Sequence, residues 1–268
     1  MTAARAAEHA RGAAALAPER AVLKAGGAVV SDPDFLAALA DHVAERVSAG
    51  GALILVHGGG ELITELERRF GVSAAVKHQG LRATPPESMR LVAMALRGVI
   101  NATIVARLVA RGVAAIGVSG VDLGILRSDF LNRTRLGRVG GPPRVDATRL
   151  RGLLAQGLTP VLAPVCLGPD GGLLNVNADT VAHSVAVSLG VETLDFVSDV
   201  PGVLDAEGRV ARRLDPGDAS DMLRGTGVRG GMIPKLQAAV AAARAGVGRV
   251  RIGDLSSLSQ GTATEVVA

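Results

Sequence analysis

The sequence predicts an α/β protein, a three-layer αβα sandwich around a mostly parallel central sheet, and three observations carry that expectation. Short apolar runs of strand length alternate with longer segments of helical periodicity along most of the chain. A glycine turn follows each of the first two strand runs and leads into a helix, which puts the turns at the carboxyl ends of parallel strands, where ligands bind in such sheets. No low-complexity linker separates the halves, so two lobes sharing one sheet are expected rather than two independent domains.

The elements follow in order. AVLKAGG from Ala21 reads as a strand and a glycine pair. In the helix after it, Ser31 or Asp32 can cap, Pro33 suits the first turn, Phe35, Leu36, Leu39, Val43 and Val47 recur at helical spacing, and Gly50 and Gly51 end it. ALILV at 52–56 is a buried-strand candidate running into His57-Gly58-Gly59-Gly60 and the helix ELITELERRFG. Residues 85–112 form a long helical pattern with Gly98 as its weak point, and AAIGVSG is a third strand with its own glycine turn. PVLAPV, the turn GPDGG, the helix DTVAHSVAVSLG, the strand LDFVS with DVPGVLD, the helix MIPKLQAAVAAARAG, RVRIG and an apolar tail complete the second half.

Composition excludes several classes. With 48% hydrophobic residues, 20% charged and 35 glycines, the 268-residue chain is that of a folded protein with a large core. A formal charge of +4, four Phe and no Tyr or Trp do not make a nucleic-acid platform. The one cysteine, Cys166, lies among apolar neighbours and reads as a buried, inert thiol in a reducing compartment. The Ala-rich first twenty residues lack the apolar run of a signal peptide or membrane span, so a cytoplasmic protein is expected, with no membrane partner.

Glycines between a strand and a helix let backbone N–H groups approach an anion at a helix N-terminus. One such turn serves packing as readily as binding, but Gly26–Gly27 and Gly58–Gly60 at adjacent strand ends, the first led by Lys24, point to an anion site. Lys24 lies inside a strand run, where a buried ammonium needs either a ligand anion or a neighbouring carboxylate. In LLNVNADTVA, Asn177 or Asp179 caps a helix, which leaves three polar side chains among apolar ones, Asn175 included, only partly explained. Lys235 opens a helix, where a cation is disfavoured unless an anion sits close by. GxxxxGK[ST] is absent, and Gly225–Gly230 satisfies GxGxxG but follows a helical segment, making it a decoy for NAD binding.

KAGG, VHGGG, GLRAT, NVNAD, VSDVPGVLD and GGMIPK, in that order, resemble the amino-acid kinase superfamily, and within it the kinases of arginine biosynthesis that act on N-acetyl-L-glutamate; the likeness runs from about Ala21 to the C-terminus. The resemblance implies residues 1–20 as an N-terminal extension, a lobe of about 21–165 for the acylated amino acid, and a lobe of about 166–268 for ATP. It implies that Lys24 and Lys235 contact the triphosphate and stabilise the transferring phosphoryl group while Asp179 holds both lysines. Gly26, Gly27 and Gly58 would donate to the phosphates; Gly59, Gly60, Arg82 and Asn175 would bind the acceptor; Asp199, Val200, Pro201, Gly202, Val203 and Leu204, with Gly227, Val228 and Arg229, would face adenine and ribose. ATP is implied with Mg2+ held mainly by phosphates and water. Ala28 and Ala102 depart from the family's usual polar residue and lysine.

A carboxylate acceptor is ionised at neutral pH, so such a transfer needs no general base. His57, His78 and His183 are accordingly given no proton-transfer role, and His57 is placed to orient its glycine turn. Competing readings are a kinase of lysine biosynthesis acting on carrier-bound aminoadipate, a non-catalytic nucleotide or amino-acid sensor in the same fold, and an NAD oxidoreductase resting on the decoy alone. Arginine-inhibited relatives carry a long N-terminal ring-forming helix; here Gly12 and Pro18 interrupt the corresponding stretch, so an arginine-insensitive homodimer is expected.

Overall fold

The computed structural model describes residues 19–27, 32–72, 77–78, 81–205, 207–225, 228 and 230–268, for 77 and 78 the backbone only. The first eighteen residues, Ala28, Ser31, Gly227 and Arg229, all of them named in expectations above, lie outside the described residues. The elements in chain order are β1 (Arg20–Ala25), α1 (Pro33–Ser48), β2 (Ala52–His57), α2 (Gly60–Arg69), β3 (Lys77–His78), β4 (Leu81–Arg82), α3 (Pro86–Val109) and β5 (Ala115–Ser119). Then come β6 (Leu126–Arg127), α4 (Arg133–Leu136), β7 (Arg144–Val145), α5 (Ala147–Ala155), β8 (Thr159–Ala163), β9 (Val165–Leu167), β10 (Leu173–Asn175) and α6 (Ala178–Leu189). The chain closes with β11 (Thr193–Val197), β12 (Arg213–Leu214), α7 (Pro216–Arg224), α8 (Met232–Arg244), β13 (Arg249–Gly253), α9 (Leu255–Gln260) and β14 (Thr264–Val266).

Eight strands form the central sheet in the order β12-β14-β13-β11-β1-β2-β8-β5. Six run parallel; β14 is antiparallel to β13, and β12 runs with β14. The apolar tail takes this direction because the connection from β13, through the single short helix α9, is too brief for a parallel crossover. β2, β8 and β5 lie on one side of β1 and β11, β13, β14 and β12 on the other, so β1 sits where the strand order reverses.

The pleat sends successive residues to opposite faces, and both faces are covered. Val22, Ile54, Val56, Leu162, Phe196 and Ile252 pack with Val181 and Val185 of α6 and Leu236 and Ala239 of α8. Leu23, Leu53, Leu55, Val161 and Val197 pack with Leu39 and Val43 of α1 and Leu96, Ile104 and Leu108 of α3. This is the expected three-layer sandwich. By length and composition α3 could cross a membrane, but its buried stripe belongs to this core.

Local signals mostly work as read. Asp32 caps α1, accepting from Asp34 N at 2.9 Å, and Gly50 (φ +91°) turns the chain after it, a conformation costly for any residue with a Cβ. Two features were not legible. PVLAPV is not one strand: Pro164, without an N–H, breaks it, and Cys166 falls on β9 of a separate four-stranded sheet, β10-β9-β6-β7. Gly98 does not break α3, which instead widens into a π-helical segment over Met94–Ile100.

Candidate active site

Lys24 stands at the carboxyl end of β1, and its register beside Val56 and Phe196 points it to the α6/α8 side of the sheet. Three ionised groups meet there. Lys24 Nζ lies 2.8 Å from Asp179 Oδ1, with both side chains more than nine-tenths buried. Asn177 caps α6 by accepting from Asp179 N and Thr180 N, which answers the capping question and leaves the Asp179 carboxylate to the lysine. From the first turns of α8, Lys235 reaches the mouth of β11 and donates to Val197 O at 3.3 Å. Burial, then the charge of Lys24, pushes its ammonium down to about 8 against the opposing pull of Asp179 and Asp199. Asp179 is paired with Lys24, and Lys235 has no ion pair among the described residues, which leaves positive charge for an anion.

The two glycine turns interlock. A Cβ on Gly27 would come 2.7 Å from Gly60 N and 2.9 Å from Gly59 N, and one on Gly59 would strike Ile100 and Leu96 of α3. The chain therefore needs glycine for close backbone approach. Among the described residues no side chain caps α2, whose N-terminus begins at this turn and faces the cavities with its partial positive charge.

Arg82, on β4, is held by protein acceptors: Nη1 donates to the buried Glu67 at 2.5 Å, and Nη2 to Thr64 Oγ1 at 2.6 Å and Gly60 O at 2.8 Å. Asn175 Nδ2 donates to Thr84 Oγ1 at 3.0 Å, tying β10 to the segment after β4. The 136–140 segment locks the same residue through Thr84 N to Leu136 O and Arg138 N to Thr84 O.

Two cavities adjoin at these residues. The smaller, of about 210 Å³, is lined by Gly58, Gly59, Arg82 and Asn175 together with Leu81 and Val139. The larger, of about 900 Å³, is lined by Gly26, Asp199, Val200, Gly231 and Lys235. Lys24, Gly27, Gly60, Asn177 and Asp179 border both. Pro201, Gly202, Val203 and Leu204 are not in either lining; Gly202 and Val203 pack on Thr264, whose Oγ1 accepts from Val203 N at 2.8 Å, and Val203 and Val228 belong to the core. The GxGxxG segment follows the helix α7, as the decoy reading required. Cys166 is fully buried and its thiol is pushed well above the usual range.

Two residues escaped the sequence reading. Glu67 sits four places after Ile63 on the buried stripe of α2, and Asn101 precedes Ile104 and Leu108 on that of α3. A polar residue in phase with a core stripe was the signal available for each.

Residues 19–254 match the amino acid kinase family. Acetylglutamate kinase from Chloroflexus aggregans is 44% identical over 243 residues, covering 90% of this chain and 94% of the relative. The same-named enzyme from Methanopyrus kandleri is 38% identical over 254 residues, covering 91% and 99%. Among solved structures, smu.665 from Streptococcus mutans UA159 superposes with a TM-score of 0.83 at 30% identity over 93% of this chain and 98% of that one. Carbamate kinase from Giardia lamblia bound to AMP-PNP, with a TM-score of 0.70 and 15% identity over 94% and 99%, shares the fold.

Proposed function

The chain belongs to the amino acid kinase family, and on that footing we propose that it transfers the γ-phosphoryl group of ATP to the side-chain carboxylate of N-acetyl-L-glutamate, yielding N-acetyl-L-glutamyl 5-phosphate for arginine biosynthesis. The observation that carries this reading is the meeting of a small polar cavity and a larger one at Lys24, Asp179 and both glycine turns. An acceptor in the first and a nucleotide in the second would face each other across the lysines.

The acceptor carboxylate arrives ionised, and no base is required. The obstacle is repulsion, on the order of 4 kcal/mol for each pair of like unit charges 4 Å apart at an effective dielectric of 20. Lys24 and Lys235 offset it as charge spreads over the transferring group, Asp179 keeps both lysines in place, and the amides of Gly26 and Gly27 donate to phosphate oxygens; the Gly58 N–H, expected from the sequence to join them, is instead given to Ala25 O at 3.0 Å. Gly59, Gly60, Arg82 and Asn175 hold the acceptor. Asp199 and Val200 form the side of the larger cavity given to adenine and ribose, and Pro201 to Leu204, expected there from the sequence, stand behind it. Magnesium enters with the nucleotide as MgATP, held mainly by the phosphates and water. ATP consumption compared across N-acetylglutamate, glutamate and aspartate, with hydroxylamine trapping of the acyl phosphate, tests the reading. Turnover is expected only with N-acetylglutamate; a hydroxamate formed equally well from an unacylated acid would overturn it.

Of the five N–H groups of Arg82, three are engaged by described residues, leaving two for a substrate carboxylate. Arg82→Ala is expected to raise KM for N-acetylglutamate about 10- to 100-fold, the loss of charge-assisted hydrogen bonds, with KM for ATP nearly unchanged. Equal weakening of both substrates would count against this placement.

Lys235 gives a pH signature. Its ammonium is lost near pH 8 in the free protein, so kcat/KM should fall above about pH 8, while bound phosphates carry the corresponding fall in kcat to higher pH. Lys235→Arg should remove that alkaline fall. Stability has the opposite sign: the folded value of about 8 lies below the ordinary 10.5, the unfolded chain binds the extra proton between them, and stability should rise with pH across that window.

The assembly proposed is a cytoplasmic homodimer insensitive to arginine. Light scattering at several concentrations, with and without arginine, should give two chains per particle; a hexamer with sigmoidal inhibition would refute it.

A further inference from the structure

His57 ends β2 completely buried, directly before the glycine turn, and the proposed chemistry leaves its imidazole unused. Its Nδ1 lies 3.0 Å from Gly58 O, and its Nε2 lies 3.0 Å from Nδ2 of Asn101. The amide of Asn101 cannot be turned over without loss, because the same Nδ2 donates to Val161 O at 2.8 Å and a flipped amide would face that carbonyl with its own oxygen. An amide nitrogen only donates, so Nε2 accepts and carries no proton. A carbonyl oxygen only accepts, so Nδ1 carries it. Burial agrees, pushing His57 down to about 4 and keeping the ring neutral at physiological pH.

The consequence falls on the next peptide. No cis peptide bond occurs among the described residues, and in a trans peptide C=O and N–H point opposite ways. A Gly58 carbonyl drawn to His57 therefore turns the Gly59 N–H the other way, and Gly59 N lies where a Cβ on Gly27 would be only 2.9 Å from it. Three successive glycines have little conformational preference of their own, so this orientation must be imposed. The π-helical segment of α3 shares in imposing it: Leu96 and Ile100 back the Cα of Gly59, and the next residue is Asn101.

We propose that His57, locked by Asn101 as the Nδ1–H tautomer, is a positioning residue that clamps the Gly58–Gly59 peptide so that the Gly59 amide faces the smaller cavity, whose wall Gly59 helps to form; this rests on the reading of that cavity as the acceptor site of a phosphotransferase.

Three variants and one spectroscopic measurement test it. In His57→Asn, the side-chain Nδ2 can take the place of Nδ1, and kcat/KM for N-acetylglutamate should stay within about threefold of the wild type. His57→Gln is nearer in volume but carries its amide one carbon farther out. It should lose about tenfold or more in kcat/KM for N-acetylglutamate, part of the effect of removing a preorganised donor, with KM for ATP changed less than about threefold. Asn101→Ala should behave as His57→Gln does. A packing role predicts the reverse order, Gln above Asn, and that result would overturn the proposal. Imidazole ¹⁵N shifts of the full-length protein, with His57 assigned by its loss in His57→Gln, should report a neutral Nδ1–H ring between pH 6 and 8. An Nε2–H ring or an imidazolium would overturn it without reference to turnover. A wild-type protein inert toward N-acetylglutamate would defeat the functional reading alone, and the tautomer would still decide the clamp.

Discussion

Lys24→Ala and Lys235→Ala are each expected to lower kcat by about 10²–10³ while the protein stays folded, the scale of losing one preorganised charge stabiliser. The two ammonium groups reach the site from different elements, β1 and α8, and both are buried. Each acts where water cannot substitute for it. Lys24→Ala leaves Asp179 with Lys235 as its remaining cation. A stopped assay with saturating ATP and N-acetylglutamate measures the effect, with thermal unfolding beside it to show that the fold survives. Turnover at the wild-type rate in either variant would remove the lysine from the mechanism.

Asp179→Asn should do comparable damage by another route. The carboxylate is the partner of Lys24 at 2.8 Å, and its charge is one of those holding Lys235 from falling further below about 8. Without it two buried ammonium groups face each other with no compensating charge at the same depth. Breaking a buried pair in this way costs about 3–5 kcal/mol of stability, and Lys235 becomes partly neutral at working pH, so kcat falls as well. MgATP should then raise Tm by more in the variant than in the wild type, because phosphate oxygens supply the missing negative charge. An unchanged Tm together with an unchanged MgATP shift would show that Asp179 does not hold the lysines.

The six motifs were readable because each depends on local chemistry: glycines where a turn meets a helix, a lysine inside a strand, a cation at a helix start. The alternation of apolar runs likewise announced the layered sheet, since each element has to bury its own stripe or face. Harder to see were the partners. Glu67 and Asn101 lie on core-facing stripes of α2 and α3, and their polarity was in plain view, but what each one bonds, Arg82 and His57, lies 15 and 44 residues away. The small second sheet was hidden for a different reason: its strands are two or three residues long, too short to show a period.

By itself the sequence determined the class of fold, the order of its main helices and strands and the places where glycine turns lead into helices, because these follow from periodicity and backbone freedom over a few residues. Only the tertiary structure decided that Lys24 pairs with Asp179 while Asn177 caps the helix, that Arg82 is braced by Glu67, and that Pro201 to Leu204 turn away from the cavity lining while Asp199 and Val200 stay on it. Those choices depend on which strands become neighbours and in what register, and a one-residue shift of β1 would send Lys24 to the opposite face of the sheet.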